Sequence, residues 1–201
     1  MSARPDVSRE TLERLEIFVR LLRQWNPRIN LVSKSTLDDA WNRHVADSVQ
    51  VFEASRQASG LWVDMGSGGG FPGLVIAILA LERAPALQVK LIESDQRKCA
   101  FLRTVAREAG VSVSIKARRI EDEPPSQASV ISARALAPLT DLLQFSQRHG
   151  SEDHVAIFPK GRSWRDELAV ARTRWRFQHE ALQSKTDAEA VILRIEEIEH
   201  V

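Results

Sequence analysis

The chain has 201 residues, 43% of them hydrophobic, and its 28 basic and 27 acidic side chains leave a net charge of +1. This length suffices for one well-buried core, and the balanced charge neither indicates nor excludes a nucleic-acid-binding protein. The single cysteine, Cys99, excludes a disulfide framework and a cysteine-based structural zinc site. The first residues lack the apolar core of a signal peptide, and no apolar run could span a bilayer. We therefore expect a cytoplasmic protein without membrane association.

Two amphipathic helices are predicted in the first 58 residues, which we interpret as a helical cap. Apolar residues recur every three or four positions from Leu12 to Trp25, with Ser8 as a plausible N-cap. Asn26-Pro27 is predicted to end this helix, because proline disfavours a helical conformation in the residue before it. The second helix carries four apolar residues on one face: Trp41, Val45, Val49 and Phe52.

From residue 59 onward, short apolar strands alternate with longer helical patterns. Strands are predicted over residues 61–65, 89–92, 111–116, 128–133 and 155–158, and helices over residues 73–81, 96–109, 139–148 and 163–174. The tail, residues 176–183 and 191–198, is predicted to pair as an antiparallel edge hairpin. This alternation indicates right-handed βαβ crossovers. We predict an α/β, Rossmann-like fold over residues 59–201, with a mostly parallel seven-stranded sheet.

The sequence LWVDMGSGGGFPG follows the first predicted strand and contains five glycines within eight residues. One frame, Gly68, Gly70 and Gly73, matches the G-x-G-x-x-G dinucleotide pattern, which is weak evidence alone. The other frame, D-x-G-x-G-x-G from Asp64 to Gly70, is the first motif of class I S-adenosylmethionine (SAM) methyltransferases. SAM carries an ammonium and a sulfonium group, whereas a dinucleotide carries a pyrophosphate that favours positive charge. An acid directly before the turn therefore favours SAM, with Asp64 near its amino-acid end.

Two further positions at strand ends suit the same cofactor. Glu93 ends the second strand, where its carboxylate would accept both ribose hydroxyls, a role shared with NAD-binding folds. The segment from Arg119 to Asp122 follows the third strand and is expected to border an adenine ring. A P-loop motif and a G-x-S-x-G elbow are missing from the sequence, and the five histidines lack metal-ligand spacing. We therefore expect no catalytic metal and no acyl-transfer triad.

Six segments extend the evidence beyond the glycine turn: WNPRINLVS, RHVADS, VDMGSGGGFPG, RKCAFLR, ARALAPL and FPKGR. In this combination and order, the chain resembles the small-subunit ribosomal RNA methyltransferase G family, also called RsmG or GidB. The resemblance covers almost the whole chain. The sequence has GGG where the family more often has GAG in GSGAGFPG, and a glycine in place of that alanine should be tolerated sterically.

The resemblance implies a class I methyltransferase that transfers methyl from SAM to N7 of a guanine, position 527 of bacterial 16S rRNA. The product is S-adenosylhomocysteine. Carried over by motif, the family's cofactor contacts fall on Gly66, Phe71, Ile120, Glu121 and Arg134. The implied partner is 16S rRNA within the small ribosomal subunit or an assembly intermediate, and we expect a monomer.

This chemistry needs no general base. Guanine N7 has a free lone pair and no proton to remove, so catalysis can depend on in-line alignment of N7, methyl and sulfur. Orientation of this kind supplies roughly 7–11 kcal/mol. The sequence is consistent with such a mechanism because no histidine is paired with an acid in a recognisable catalytic pattern.

Three residues are candidates for positioning the substrate. Arg134 follows the fourth strand and is predicted at the mouth of the site, within reach of cofactor, guanine or phosphate. Lys160 follows the fifth strand and is predicted to contact RNA phosphate. His44 belongs to a polar cluster, residues 43–48, that either faces the substrate side of the cleft or ties the helices to the sheet.

Other functional classes remain open at this point. A nicotinamide-dependent oxidoreductase is disfavoured because the chain has no tyrosine and therefore no catalytic Tyr-Lys pair. A methyltransferase with another substrate and a non-catalytic RNA-binding protein are the remaining alternatives. The basic runs at residues 97–107 and 116–119 either extend an RNA-binding face or are solvated surface charges.

Overall fold

Helices occupy the chain before the first strand. The structure is a computed structural model that describes residues 5–201. It contains helix α1 (Arg9–Ile29), helix α2 (Lys34–Leu37), a π-helical segment (Trp41–Ala46) and helix α3 (Asp47–Ser55). Ser8 is the N-cap of α1, as predicted, since its hydroxyl accepts a hydrogen bond from the Thr11 N–H at 3.2 Å.

The prediction that Asn26-Pro27 ends the first helix is wrong. α1 continues to Ile29 and stops at Asn30, which has a left-handed conformation with φ 48°. Proline lies in the last turn, so its missing N–H removes only one intrahelical hydrogen bond. The Asn26 side-chain oxygen accepts hydrogen bonds from the backbone N–H groups of residues 31 and 32, both at 2.8 Å. These bonds direct the chain as it leaves the helix.

The sheet has seven strands in the order β3-β2-β1-β4-β5-β7-β6. They are β1 (Ser59–Met65), β2 (Ala86–Glu93), β3 (Ser114–Ala117), β4 (Ala128–Ala133), β5 (Gly150–Lys160), β6 (Trp175–Gln183) and β7 (Val191–His200). Strand β7 is antiparallel to β5 and β6, and the other pairings are parallel. The predicted sheet and hairpin are confirmed, although β3 starts later and β5 starts earlier than predicted.

Helices cover both faces of the sheet. They are α4 (Gly73–Arg83), α5 (Gln96–Glu108), α6 (Leu139–His149) and α7 (Trp164–Ala171). One core contains α4, α5 and the helices before the sheet, and the other contains α6 and α7. Strand order reverses between β1 and β4. The carboxyl ends of the strands at such a reversal form the ligand crevice of open α/β sheets.

The amino-terminal helices share their core with the sheet domain. α1 packs against α4 and α5, and α3 packs against α4, β5 and β7. The Phe18 ring of α1 stacks on Phe71 beside the glycine turn, with 4.7 Å between ring centroids. The division into a cap of residues 1–58 and a methyltransferase domain of residues 59–201 stays a prediction. Within residues 5–201, we find no helix with the length and apolar character needed to cross a membrane.

Candidate functional site

A cavity of about 780 Å³ opens at the carboxyl ends of β1, β2 and β4. This volume lies within the roughly 300–1,000 Å³ typical of small-molecule sites. The cavity brings together these residues that the sequence analysis selected: His44, Gly66, Gly68, Phe71, Glu93, Ile120, Glu121 and Arg134. Asp64, Gly70 and Lys160 are not among its lining residues.

The glycine turn approaches the cavity closely because it lacks side chains. Gly66 and Gly68 have φ of 63° and 52°, in the left-handed region that favours glycine. A Cβ added at Gly66 would lie 2.6 Å from Leu136 Cδ1. Hydrogen bonds from Ser67 N to the Ile92 carbonyl and from Gly70 N to the Ser67 carbonyl hold the turn, at 3.1 and 2.7 Å. The turn is therefore a backbone cradle at the end of β1.

Glu93 joins this turn to the end of β2. Its Oε2 accepts a hydrogen bond from Gly68 N at 2.9 Å, and its Oε1 accepts one from Asp95 N at 2.8 Å. The side chain is buried but lines the cavity. A carboxylate has about four lone-pair sites, so each oxygen can accept a further hydrogen bond from a ligand hydroxyl.

A Glu93→Gln variant is expected to bind SAM about tenfold more weakly. An amide has one acceptor oxygen, so either Gly68 or Asp95 loses the acceptor of its N–H, at a cost of about 1–3 kcal/mol. Titration calorimetry with SAM measures the change. The control is Glu108→Gln at the exposed end of α5, where the carboxylate pairs with Arg107. Equal affinities in the wild type and Glu93→Gln would contradict the prediction.

Asp64 lies beneath the turn and is fully buried. Its Oδ2 accepts a hydrogen bond from Gly73 N at 3.3 Å, at the start of α4, and its Oδ1 accepts one from Ser132 Oγ at 2.7 Å. Ser132 in turn accepts a hydrogen bond from Trp62 Nε1 at 2.8 Å. The carboxylate therefore connects β1, β4 and α4. Its predicted contact with the cofactor's ammonium group stays a prediction, and this geometry supports an indirect role in holding the turn.

Burial raises the pKa of Asp64 to about 6, although hydrogen bonds from Ser132 and Gly73 act in the opposite direction. The folded protein thus holds this proton at pH values where the unfolded chain, with a pKa near 3.8, has lost it. The contribution of Asp64 to the free energy of unfolding consequently falls as pH rises from about 4 to 6. A difference of about two pKa units corresponds to about 3 kcal/mol.

Asp64→Asn should remove this titration. We expect the free energy of unfolding of the variant, minus that of the wild type, to rise by about 2 kcal/mol between pH 4 and pH 6 and to level off near pH 7. Urea unfolding of both proteins at pH 4, 5, 6 and 7 measures this difference. The subtraction cancels the histidines, whose lowered pKa values contribute with the opposite sign. A difference independent of pH would contradict the assignment.

Arg134 follows β4, is half-buried, and contacts the helices before the sheet. Its Nη1 donates to His44 Nδ1 at 2.9 Å, and its guanidinium carbon lies 5.1 Å from the centroid of the Phe71 ring. Burial lowers the pKa of Arg134, while the charges of Asp47 and Asp64 raise it. These contacts hold a cation at the cavity wall.

His44 is neutral at physiological pH. Burial, followed by the charges of Arg134 and Arg43, lowers its pKa to about 4. Since Nδ1 accepts from Arg134, Nε2 carries the proton and donates to Thr36 Oγ1 at 2.9 Å. The hydrogen bond between His44 and Arg134 joins the 43–48 cluster to the end of β4, and its contact with the substrate stays a prediction. His44 faces the cavity, whereas Ser48 donates to the His44 carbonyl at 2.7 Å within the helical segment.

Lys160 does not face the cavity, although the sequence analysis predicted that it contacts RNA phosphate. Its side chain is buried, and Nζ donates to Glu167 Oε2 at 2.7 Å and to the Ala137 carbonyl at 3.1 Å. Glu167 also accepts a hydrogen bond from Leu139 N at 2.9 Å. A buried lysine already paired with a carboxylate does not present a free charge to phosphate. The pair instead holds the segment between β4 and α6, which carries Arg134.

The sequence of this chain is similar to those of known methyltransferases over almost its whole length. The family described as rRNA small subunit methyltransferase G matches residues 11–194. The chain belongs to this family. Ribosomal RNA small subunit methyltransferase G of Ruegeria sp. is 54% identical over 98% of this chain and 95% of its own length. The Cereibacter sphaeroides protein of the same name is 47% identical over 99% of this chain and 97% of its own length.

Solved structures support the fold of this family member. The structure of P. horikoshii TYW2 in complex with MeSAdo has a TM-score of 0.59 at 15% identity, covering 77% of this chain and 62% of that one. A SAM-dependent methyltransferase from Aquifex aeolicus has a TM-score of 0.58 at 11% identity, covering 89% and 97%. The predictions of the family, the class I methyltransferase fold and the cofactor SAM are confirmed.

Several cavity residues of this methyltransferase were missed in the sequence analysis: Thr36, Ser94, Leu136, Asp141 and Phe145. Ser94 directly follows β2 and Leu136 lies three residues after β4, so the rule that ligand crevices lie at strand ends could have found them. Thr36 lies in a four-residue helix and had no such signal. Among residues 5–201, no group of three or more His, Cys, Asp or Glu side chains could hold a metal ion.

Proposed function

We propose that this chain transfers the methyl group of SAM to N7 of the guanine at position 527 of bacterial 16S rRNA. The observation that carries the proposal is the cavity formed by the glycine turn, Glu93 and Arg134 in a member of the rRNA small subunit methyltransferase G family. Its relatives named ribosomal RNA small subunit methyltransferase G support the RNA substrate.

The residues of the cavity fit SAM. The backbone at Gly66 and Gly68 leaves room for a ligand that a Cβ at Gly66 would disturb. Glu93 retains lone pairs for ribose hydroxyls, and the segment Ile120–Glu121 is positioned to border the adenine. When bound, SAM supplies an electrophilic methyl group on its sulfonium. The chain's own task is therefore to hold both reactants in line and to exclude water.

The arrangement of His44 and Arg134 supports methyl transfer without a general base. Both ring nitrogens of His44 already make hydrogen bonds, and its lowered pKa keeps it neutral. The Arg134 guanidinium has five N–H donors in a planar fork, suited to the O6 edge of a guanine or to a phosphate. The guanine N7 has a free lone pair, so it needs only to be oriented toward the methyl group. We assign Arg134 to substrate and cofactor contact, and His44 to positioning Arg134.

Basic residues at the same cavity support a polyanionic substrate. Arg43, Lys98, Arg118 and Arg119 line it together with Arg134. Phosphate contacts of this kind make RNA affinity fall with salt concentration, because binding releases condensed counterions. We further propose that the enzyme acts as a monomer in the cytoplasm, on 16S rRNA within the small ribosomal subunit or an assembly intermediate.

Transfer of labelled methyl from SAM tests the proposal. Purified protein is incubated with undermethylated small subunits, naked 16S rRNA and intact ribosomes, and label is followed into RNA. Reduction and aniline cleavage, which cut the strand at 7-methylguanosine, then map the modified base. We expect one cleavage at position 527. Label in protein or small molecules with none in RNA would overturn the substrate, and RNA binding without any SAM binding would favour the non-catalytic alternative.

A further inference from the structure

The wall of the cavity includes a loop that has little regular structure of its own. It spans residues 118–127, between β3 and β4. Ile120 and Glu121 of this loop line the cavity. The backbone hydrogen bonds within the loop run from the N–H groups of Asp122 and Glu123 to the Arg119 carbonyl, both at 3.2 Å, and do not involve the Ile120 carbonyl. Contacts from outside the loop must therefore determine the position of Ile120 relative to the cofactor.

A buried chain of hydrogen bonds reaches Ile120 from the end of α6. His149 is fully buried, and its Nε2 lies 3.0 Å from the Ile120 carbonyl oxygen. A carbonyl only accepts, so Nε2 carries the proton, and Nδ1 accepts from Ser126 Oγ at 3.3 Å. Ser126 Oγ accepts from Lys90 Nζ at 3.1 Å. Hydrogen bonds thus run in one direction, from Lys90 of β2 through Ser126 and His149 to the Ile120 carbonyl.

A second set of contacts, centred on Glu123, holds the same loop. The Glu123 carboxylate is buried and lies 3.6 Å from Lys90 Nζ and 3.3 Å from Arg118 Nε. Arg148, next to His149, donates to the Glu123 carbonyl at 3.2 Å. The loop is thus attached to β2 through Lys90 and to α6 through Arg148 and His149.

We propose that His149 is a positioning residue for the cofactor, acting through its Nε2–H hydrogen bond to the Ile120 carbonyl. The bond holds the Ile120–Glu121 segment in the position where it borders the adenosine half of SAM. This inference rests on the proposed contact of that segment with the cofactor. His149 itself does not line the cavity, whereas Ile120, whose carbonyl accepts its hydrogen bond, does.

A matched control exists in the same part of the fold. His154 of β5 is also buried, and it also joins a serine hydroxyl, Ser146 Oγ at 2.8 Å, to a carbonyl, that of Ser151 at 2.6 Å. Neither partner lines the cavity. Removing the nitrogens of His154 costs similar buried hydrogen bonds without touching the loop.

Calorimetric titration of the full-length protein with SAM and with S-adenosylhomocysteine tests the proposal. His149→Phe should weaken both ligands about tenfold and by the same factor, because they share the adenosine half. His149→Gln should restore most of the affinity, because its amide donates to the Ile120 carbonyl and accepts from Ser126. His154→Phe should lower the melting temperature to a similar extent as His149→Phe and leave both affinities unchanged.

Three outcomes would overturn the inference: unchanged affinity in His149→Phe, no recovery in His149→Gln, or an equal loss of affinity in His154→Phe. If His149→Phe does not fold, Ser126→Ala decides, since it removes the donor to Nδ1 from a half-buried loop position. Its affinity should fall about threefold, and no change would overturn the proposal. Failure of the wild type to bind either ligand would instead contradict the proposed cofactor site. Transfer of label to another substrate would contradict the rRNA assignment and leave this inference intact.

Discussion

Gly66→Asp is expected to abolish SAM binding, with a loss of at least about a hundredfold in affinity. The new Cβ would lie 2.6 Å from Leu136 Cδ1, so Leu136 must move, and the aspartate side chain is added at a residue that lines the cavity. The added carboxylate would also lie close to Glu93, which borders the same cavity. Titration calorimetry measures the affinity, and thermal unfolding verifies that the variant is folded.

The control for this experiment is Gly110→Asp. Gly110 has the same φ of 63°, so an aspartate there meets the same backbone strain of about 1 kcal/mol. No atom lies within 4 Å of a Cβ built at this position, and Gly110 does not line the cavity. We expect a small loss of stability and unchanged SAM affinity. If Gly66→Asp bound SAM within a few fold of the wild type, the glycine turn would not be the cofactor cradle.

Arg134→Ala is expected to lower the rate of rRNA methylation at least about a hundredfold. Loss of a preorganised donor at a reacting site typically costs about 10²–10³ in rate. The variant also leaves His44 Nδ1 without its donor and Phe71 without the cation over its ring. Arg134→Lys keeps the charge but loses the planar fork, so we expect an intermediate defect of about tenfold.

Single-turnover methylation of undermethylated small subunits, with SAM saturating, measures both variants. Arg176→Ala is the control, because Arg176 is an exposed arginine on β6 whose nearest acid is Glu199 at 3.9 Å. It should methylate RNA at the wild-type rate. A folded Arg134→Ala protein with more than a third of the wild-type rate would exclude Arg134 from the reacting site.

Much of the site was predictable because the carboxyl ends of parallel strands lie at the same edge of a sheet. Once the glycine turn, Glu93 and Arg134 were each assigned to the end of a strand, parallel pairing required them to meet at one edge of the sheet. The structure places all three at one cavity. Ile120 and Glu121 were predicted both from the position of their loop after the third strand and from the family resemblance, and they line the same cavity.

Lys160 and Asp64 illustrate what strand position does not determine. Both were assigned near the correct sheet edge, and neither lines the cavity. The carboxylate that neutralises Lys160 belongs to Glu167 on α7, and the partners of Asp64 belong to β4 and the start of α4. Whether a charged group faces a ligand or a buried partner depends on such contacts between distant elements.

The sequence by itself determined the order of strands and helices along the chain, the hairpin, the cofactor turn and the family. These depend on hydrophobic periodicity and on glycines at particular positions, both of which are local in the chain. Tertiary structure alone decided that α1 passes Pro27, that His44 supports Arg134, and that His149 holds the Ile120 carbonyl. Each depends on a polar group finding its partner across the fold, because a buried donor or acceptor must be satisfied by whatever element packs against it.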